Sequence, residues 1–313
     1  MHILVTGAAG FVGNALVDLL LAGGAQPAPI TSLRLVDLVF DDDRTDPRIE
    51  RIAGSIGDPA LRARATRGEI DVVYHLASVP GGLAERDYEL GRDINLHATL
   101  ALVEAMRAMA APPVFVFASS IAALGSPLPA GGVDDDTPPF PQLSYGAHKL
   151  AGEVVVADAT RRGWIDGRSV RLPAVIARPG GPSGLISAFL SDMIRALAAG
   201  QPFACPIGAG ATSWLVSAPC AARNLVHAAA CDGRLLGPGR ACTLPAQRLS
   251  MAELAAAVGA EYGVDTLGLA GFGEDAAIER DFGRYPPLST PRADAAGFRH
   301  DGDARTLVRQ ALA

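Results

Sequence analysis

One lysine stands out among the side chains able to do chemistry. Of the 27 basic side chains in this 313-residue chain, Lys149 is the only lysine and the rest are arginine. A single position therefore keeps a primary amine, which a guanidinium cannot replace. Lys149 falls four residues after Tyr145, one of five tyrosines, in Ser144-Tyr145-Gly146-Ala147-His148-Lys149. Residues four apart share a helical face, so phenol and amine are expected side by side. Free tyrosine, with a pKa of ~10, is a poor base at neutral pH. A neighbouring ammonium favours the phenolate, as does a positive nicotinamide ring, and each unit of lowering is worth ~1.4 kcal/mol. Such a phenolate can take the proton of a carbinol while a hydride leaves its carbon. Lys149 can also hold the nicotinamide ribose. Ser119 and Ser120 follow the β-branched run Val114–Ala118, where a parallel strand would end. Ser120 either hydrogen-bonds the reacting oxygen or caps a loop.

A hydride needs an acceptor, and the N-terminus supplies a place for one. Thr6-Gly7-Ala8-Ala9-Gly10-Phe11-Val12-Gly13 follows a first apolar run and opens a helical pattern, with GxxGxxG spacing. Gly7, Gly10 and Gly13 suit a tight turn, close approach of a pyrophosphate and close helix–strand packing. The phosphates then lie against free N–H groups at the positive end of the helix. Asp37 ends the second expected strand, 24 residues past Gly13. A carboxylate there accepts from the adenosine ribose hydroxyls and repels a 2′-phosphate. No basic residue follows before Arg44, so NAD is expected rather than NADP.

The elements that must position these residues alternate strand with helix. Strands are expected at His2–Thr6, Leu33–Asp37, Ile49–Ala53, Val72–Leu76, Val114–Ala118 and Ser169–Leu172. Helices are expected at Val12–Ala22, Pro59–Arg67, Ala84–Met109 and Ser144–Arg162. This order predicts an α/β fold: a doubly wound, parallel Rossmann-type sheet with a small C-terminal substrate-binding lobe. Residues 1–175 are assigned to the NAD-binding part with Ser120, Tyr145 and Lys149. Residues 176–313 are assigned mainly to the lobe, with segments returning to the first part. There, Gly/Pro clusters (Arg178–Gly184 among them) separate helices near Leu185–Ala199, Ala218–Ala230 and Met251–Tyr262.

Composition narrows the function classes. With 49% apolar and 19% charged residues the chain is globular. A net charge of −6 gives no electrostatic reason to expect nucleic acid or an anionic membrane. No apolar run approaches the ~18 residues of a membrane span, and the start does not resemble a signal peptide. Cys205, Cys220, Cys231 and Cys242 lack CxxC spacing and are read as free thiols in a reducing cytoplasm. The six histidines show no metal-binding spacing, so no metal is expected, and His75 is read as structural. The acidic runs Asp41–Asp43 and Asp134–Asp136 are read as solvated loops.

Taken together, the glycine motif, Asp37, His75-Leu76-Ala77, Asn95, Ser119-Ser120 and the Tyr145/Lys149 pair resemble the extended short-chain dehydrogenase/reductase family, also called the NAD-dependent epimerase/dehydratase family. The likeness runs over about residues 1–180. It implies phosphate contacts from Phe11 and Val12, and Leu76 and Ala77 beside the adenosine ribose and pyrophosphate. It further implies that Asn95 shapes the active site, Ser120, Tyr145 and Lys149 catalyse, and Pro173 and Val175 lie along the nicotinamide. Ser119 is grouped with the cofactor contacts. Three positions depart from the family pattern. Ser55 replaces its adenine-contacting Asp, leaving adenine to Ser55 and the Ile56 backbone; Leu124 replaces a Tyr; and Ala174 replaces an Asn common in sugar-nucleotide enzymes. The last weakens the case for a diphosphate-sugar substrate. Ala84–Gly91, Arg171-Leu172-Pro173 followed by Ala177–Gly180, Trp214 with Ser217-Ala218-Pro219, and Ala295–Phe298 carry a narrower likeness, to the D-erythronate dehydrogenase group; it implies oxidation of a small sugar acid at C2, with nucleotide-sugar epimerisation as the alternative. Ser78, Ser120, Ile121, Tyr145, Arg178 and Trp214 are the expected substrate residues. Arg178 either clamps a carboxylate in bidentate fashion or makes a surface salt bridge. Trp214 either walls the pocket or packs the lobe. By analogy with relatives, the Ala84–Met109 stretch and the helix after Tyr145 would form a four-helix homodimer interface.

Overall fold

Short runs rich in Val, Ile and Leu become strands in the computed structural model, which describes residues 1–23, 28–41, 43–180 and 186–313. The first six are β1 (His2–Thr6), β2 (Ser32–Asp37), β3 (Ile49–Ala53), β4 (Val72–His75), β5 (Val114–Ser120) and β6 (Asp166–Leu172). Shorter strands follow: β7 (Ala174–Ile176), β8 (Phe203–Cys205), β9 (Thr212–Ser217), β10 (Ala241–Thr243), β11 (Gln247–Ser250) and β12 (Ala270–Phe272). The main sheet is parallel, in the order β10-β6-β5-β4-β1-β2-β3. Smaller sheets, β11-β9-β7 and β12-β8, belong to the C-terminal half.

The helices are α1 (Phe11–Leu21), α2 (Pro59–Ala65), α3 (Gly81–Arg86), α4 (Tyr88–Arg92), α5 (Ala98–Ala105) and α6 (Ser144–Arg161). Then come α7 (Phe189–Ala198), α8 (Ala218–Ala230), α9 (Met251–Tyr262), α10 (Ala276–Phe282), α11 (Pro291–Ala295) and α12 (Ala304–Leu312). Alternation along the strands covers both faces of the main sheet, as a parallel sheet requires. Ile3, Val5, Leu33, Leu35 and Tyr74 pack against Leu16, Val17, Leu20 and Leu225 of α1 and α8. Leu4, Val36, Ile52, Phe115 and Phe117 face the other way, onto Leu61, Leu102 and Val156 of α2, α5 and α6. A separate core joins α7, α9 and α12 through Leu190, Met193, Leu254 and Leu307. No described helix is long and apolar enough to cross a membrane.

The long helix expected over Ala84–Met109 is broken in two places. Asp87 leaves helical geometry (φ −127, ψ 84) and accepts from Leu90 N, restarting the chain as α4. A π-helical turn over Asp93–His97 then carries Asn95 inward before α5 begins. Apolar periodicity ran through both breaks, because they cost local hydrogen bonds without changing which face is buried. Asp42, Gly181–Gly184 and Leu185, which fall in the expected loops and helix, lie outside the described residues.

Candidate active site

The chain crosses from β3 over β1 to β4, which opens a crevice at the carboxyl ends of β1 and β4. Gly7 leaves β1 at φ +72, and a Cβ there would stand 2.6 Å from Ala77 N. A Cβ on Gly13 would stand 2.0 Å from Gly7 O, so only hydrogen lets α1 begin this close to the strand. The bond from Asn14 N to Gly10 O, 2.8 Å, closes the first helical turn. The N–H groups of Phe11, Val12 and Gly13 precede it and have no acceptor within the helix. Asp37 stands at the rim of this loop, one oxygen accepting from Ala9 N at 2.8 Å and the other from Leu38 N at 2.7 Å. Ser55 Oγ accepts from Gly57 N at 3.1 Å, beside the buried Ile56. A cradle that a Cβ would fill, donors at a helix end and a carboxylate beyond the second strand fit a dinucleotide with a free 2′-hydroxyl.

Behind the cradle runs a buried hydrogen-bond chain. Ala77 N donates to Thr6 Oγ1 (3.3 Å), which pairs with His75 Nδ1 (2.6 Å). His75 Nε2 pairs with Thr99 Oγ1 (2.8 Å), and Thr99 donates to Asn95 O (2.9 Å). Asn95 closes the chain by bonding both Val79 N (2.7 Å) and Val79 O (3.1 Å). Burial holds the His75 imidazole down to about 3, with Lys149 adding to the effect, so His75 is neutral and structural. The Asn95 amide is thus spent on the loop that follows β4, which it shapes from behind.

Tyr145 and Lys149 meet the end of β5 because α6 lies unusually close to it. A Cβ on Gly146 would stand 2.3 Å from Ala122 O, in the turn just after Ser120. Ser144 is the first helical residue rather than the cap, and its N–H donates to the Glu85 carboxylate. The hydroxyls of Ser120 and Ser78 face the Tyr145 phenol. Lys149, 2% exposed, donates to Ala118 O at 2.8 Å and sits 5.6 Å from the Tyr145 ring centre. Burial dominates the electrostatics of the pair. Burial pushes the phenol above its ordinary range, and Ser120, Ser78 and the Arg178 guanidinium pull it back. The amine itself is drawn down to about 7 by burial.

These residues line a cavity of about 270 Å³, together with Val12, Leu76, Ile121, Pro173 and Val175. Ser119 reaches the cavity wall, but its hydroxyl donates to Glu153 at 2.5 Å. Arg178 is half-buried with its guanidinium 5.1 Å from the Phe11 ring centre, and it makes no ion pair among the described residues. That places it in the cavity rather than in a surface salt bridge. Trp214 goes the other way. It is fully buried, donates to Pro286 O at 2.8 Å and packs against Tyr285, so Tyr285 lines the cavity and Trp214 backs it. Sequence reasoning missed Tyr285, Phe282 and Leu190 of this wall, which come from two segments distant from the site in sequence, with no local signature. It also passed over Glu153, although its place one turn after Lys149 was a readable signal. Among the described residues no metal-binding cluster occurs.

A parallel nucleotide-binding sheet with this crevice defines a class, and comparison with known proteins fills it in. The chain belongs to the NAD dependent epimerase/dehydratase family, whose model matches residues 3–214. It is an NAD-dependent enzyme of that family. It is similar to the D-erythronate dehydrogenase of Cupriavidus necator, with 36% identity covering 99% of this chain and 97% of that one. A second D-erythronate dehydrogenase, from Haemophilus influenzae, is 29% identical over 99% of this chain and 98% of its own. Among solved structures, a nucleoside-diphosphate-sugar epimerase from Agrobacterium tumefaciens superposes with a TM-score of 0.91 at 29% identity, covering 98% of this chain and 92% of that one.

Proposed function

We propose that the chain is a dehydrogenase that oxidises the C2 hydroxyl of a small sugar acid, D-erythronate or a close analogue, to the ketone. The convergence of the Tyr145 phenol, the Ser78 and Ser120 hydroxyls and the Arg178 guanidinium on one small cavity carries this reading. NAD, when bound, accepts the hydride. Tyr145 takes the hydroxyl proton, while Ser120 and Ser78 hold the reacting oxygen and the phenol in line. Lys149 holds the nicotinamide ribose, with Pro173 and Val175 along the ring. Phe11, Val12 and Gly13 receive the pyrophosphate, Asp37 the adenosine ribose, and Ser55 with Ile56 the adenine. Arg178 receives the substrate carboxylate by a charge-assisted pair.

The cavity, about 270 Å³ under a roof of Leu190, Phe282 and Tyr285, suits a small acid. In this reading residues 1–175 hold NAD and residues 176–313 mainly enclose the substrate. Leu100 on α5 and Val154 on α6 are 39% and 62% exposed, which supports pairing of these helices with a second copy. Four unpaired cysteines suit a reducing cytoplasm. Adding D-erythronate and a panel of short aldonic and uronic acids with NAD tests the function. Net NADH absorbance is expected with at least one of them. Enzyme that purifies with tightly held NAD, interconverts a nucleotide sugar and forms no net NADH would establish the epimerase instead.

A further inference from the structure

Beneath Lys149 lies a buried ion pair that the reaction just described does not use. Glu153, 4% exposed, sits one helical turn after Lys149 on α6. Its Oε1 accepts from Ser119 Oγ at 2.5 Å and from Arg171 Nε at 2.9 Å; its Oε2 accepts from Arg171 Nη2 at 2.7 Å. The three partners come from β5, α6 and β6. Each is adjacent to a residue of the cavity: Ser119 to Ser120, Arg171 to Leu172, and Glu153, by one turn, to Lys149. Lys149 itself bonds Ala118 O, next to Ser119.

We infer that Glu153 is a positioning residue, whose carboxylate ties the ends of β5 and β6 to the catalytic helix and keeps the Lys149 amine charged. The inference rests on the reading of Lys149 given above. A bidentate Arg–carboxylate pair is strong and directional, which accounts for the tie. The charge argument is separate. Arg171, Lys149 and Glu153 place two cations and one anion in a water-poor region. Buried charge without compensation is costly, and an ammonium there sheds its proton. Lys149 is drawn down to about 7 even so, and Glu153 is the group that opposes the fall. The other titratable groups around it do not. His75 on β4 is neutral, the Tyr145 phenol is protonated, and Cys242 on β10, within reach of Arg171 and Glu153, is held as a thiol by burial. Asp135 acts on Arg171 from the loop after β5. Without Glu153 the amine would shed its proton at lower pH.

NADH affinity measured by fluorescence titration across pH 5.5 to 10, on the full chain, tests this without depending on the substrate. Wild-type affinity is expected to step down as Lys149 loses its charge, and Lys149→Met should lack that step. In Glu153→Gln, which keeps acceptor and donor groups in place, the step should move down by about one pH unit, and affinity at pH 7.5 should fall several-fold. A step that stays at the wild-type pH, even in a protein that melts earlier, overturns the inference and leaves a structural role only. Should Glu153→Gln not fold, Glu153→Met combined with Arg171→Met removes both charges, a change that buried pairs often tolerate. The step should again move down, because Glu153 opposes the fall of the amine; an unmoved step overturns it here too. Wild-type protein with no Lys149-dependent step overturns the reading of Lys149, and with it this inference.

Discussion

The floor and the roof of the cavity are built by different means. The floor is backbone: Gly7 and Gly13 where no Cβ fits, N–H groups at the start of α1, and a buried relay from Ala77 to Val79 that passes through His75 and Asn95. The roof is side chain: Arg178 after β7, Leu190 on α7, and Phe282 and Tyr285 at and beyond the end of α10. A backbone floor can hold the same dinucleotide under many roofs, whereas a side-chain roof can change its guest by single substitutions. Cofactor choice should therefore tolerate few changes, and substrate choice many.

The sharpest test falls where the two meet. Tyr145→Phe should lower kcat by roughly 10²–10⁴, the scale for losing a general base, with NADH affinity retained; near-full turnover would remove the proposed mechanism. Next, on the roof, Arg178→Gln should raise KM for the acid by about 10–100-fold, the weight of a charged hydrogen bond, with a much smaller effect on an uncharged analogue and on NADH binding. Equal losses on charged and uncharged substrates would place Arg178 on the phosphate side instead.

The floor can be probed through pH. His75 is held down to about 3 in the fold against 6.5 in the open chain. Between those values the unfolded chain binds the extra proton, so this contribution is complete above pH 6.5 and is lost as pH falls toward 3. The melting temperature should drop over that window, and more shallowly in His75→Asn; equal slopes would show that the relay does not carry the dependence. The smallest effect is expected behind the roof. Trp214→Phe removes the bond to Pro286 O and should cost about 1–2 kcal/mol of stability, read by denaturant unfolding. KM should stay within about twofold, and a larger rise would bring Trp214 back into the cavity.

The floor was legible in the sequence almost residue by residue, since its glycines, Asp37 and the Tyr145/Lys149 spacing act through contiguous backbone. Ser120 was placed by its position at a strand end. The roof was legible only in part. Arg178 could be named because it follows a strand, but whether it turned inward depends on the lobe packed around it. Trp214 stayed open between two roles for a related reason: a large aromatic near a site serves equally as wall or as support, and only the Pro286 carbonyl decides. The break at Asp87 and the π-helical turn at Asn95 escaped because apolar periodicity records which face is buried, not how the backbone is bonded.

The solitary lysine has a practical consequence. Reductive methylation with ¹³C-formaldehyde would install just one side-chain label in the whole polypeptide, at Lys149. Its methyl resonance would report the ionisation of that amine directly, and a change on adding dinucleotide would follow occupancy of the crevice with no background from other lysines to subtract.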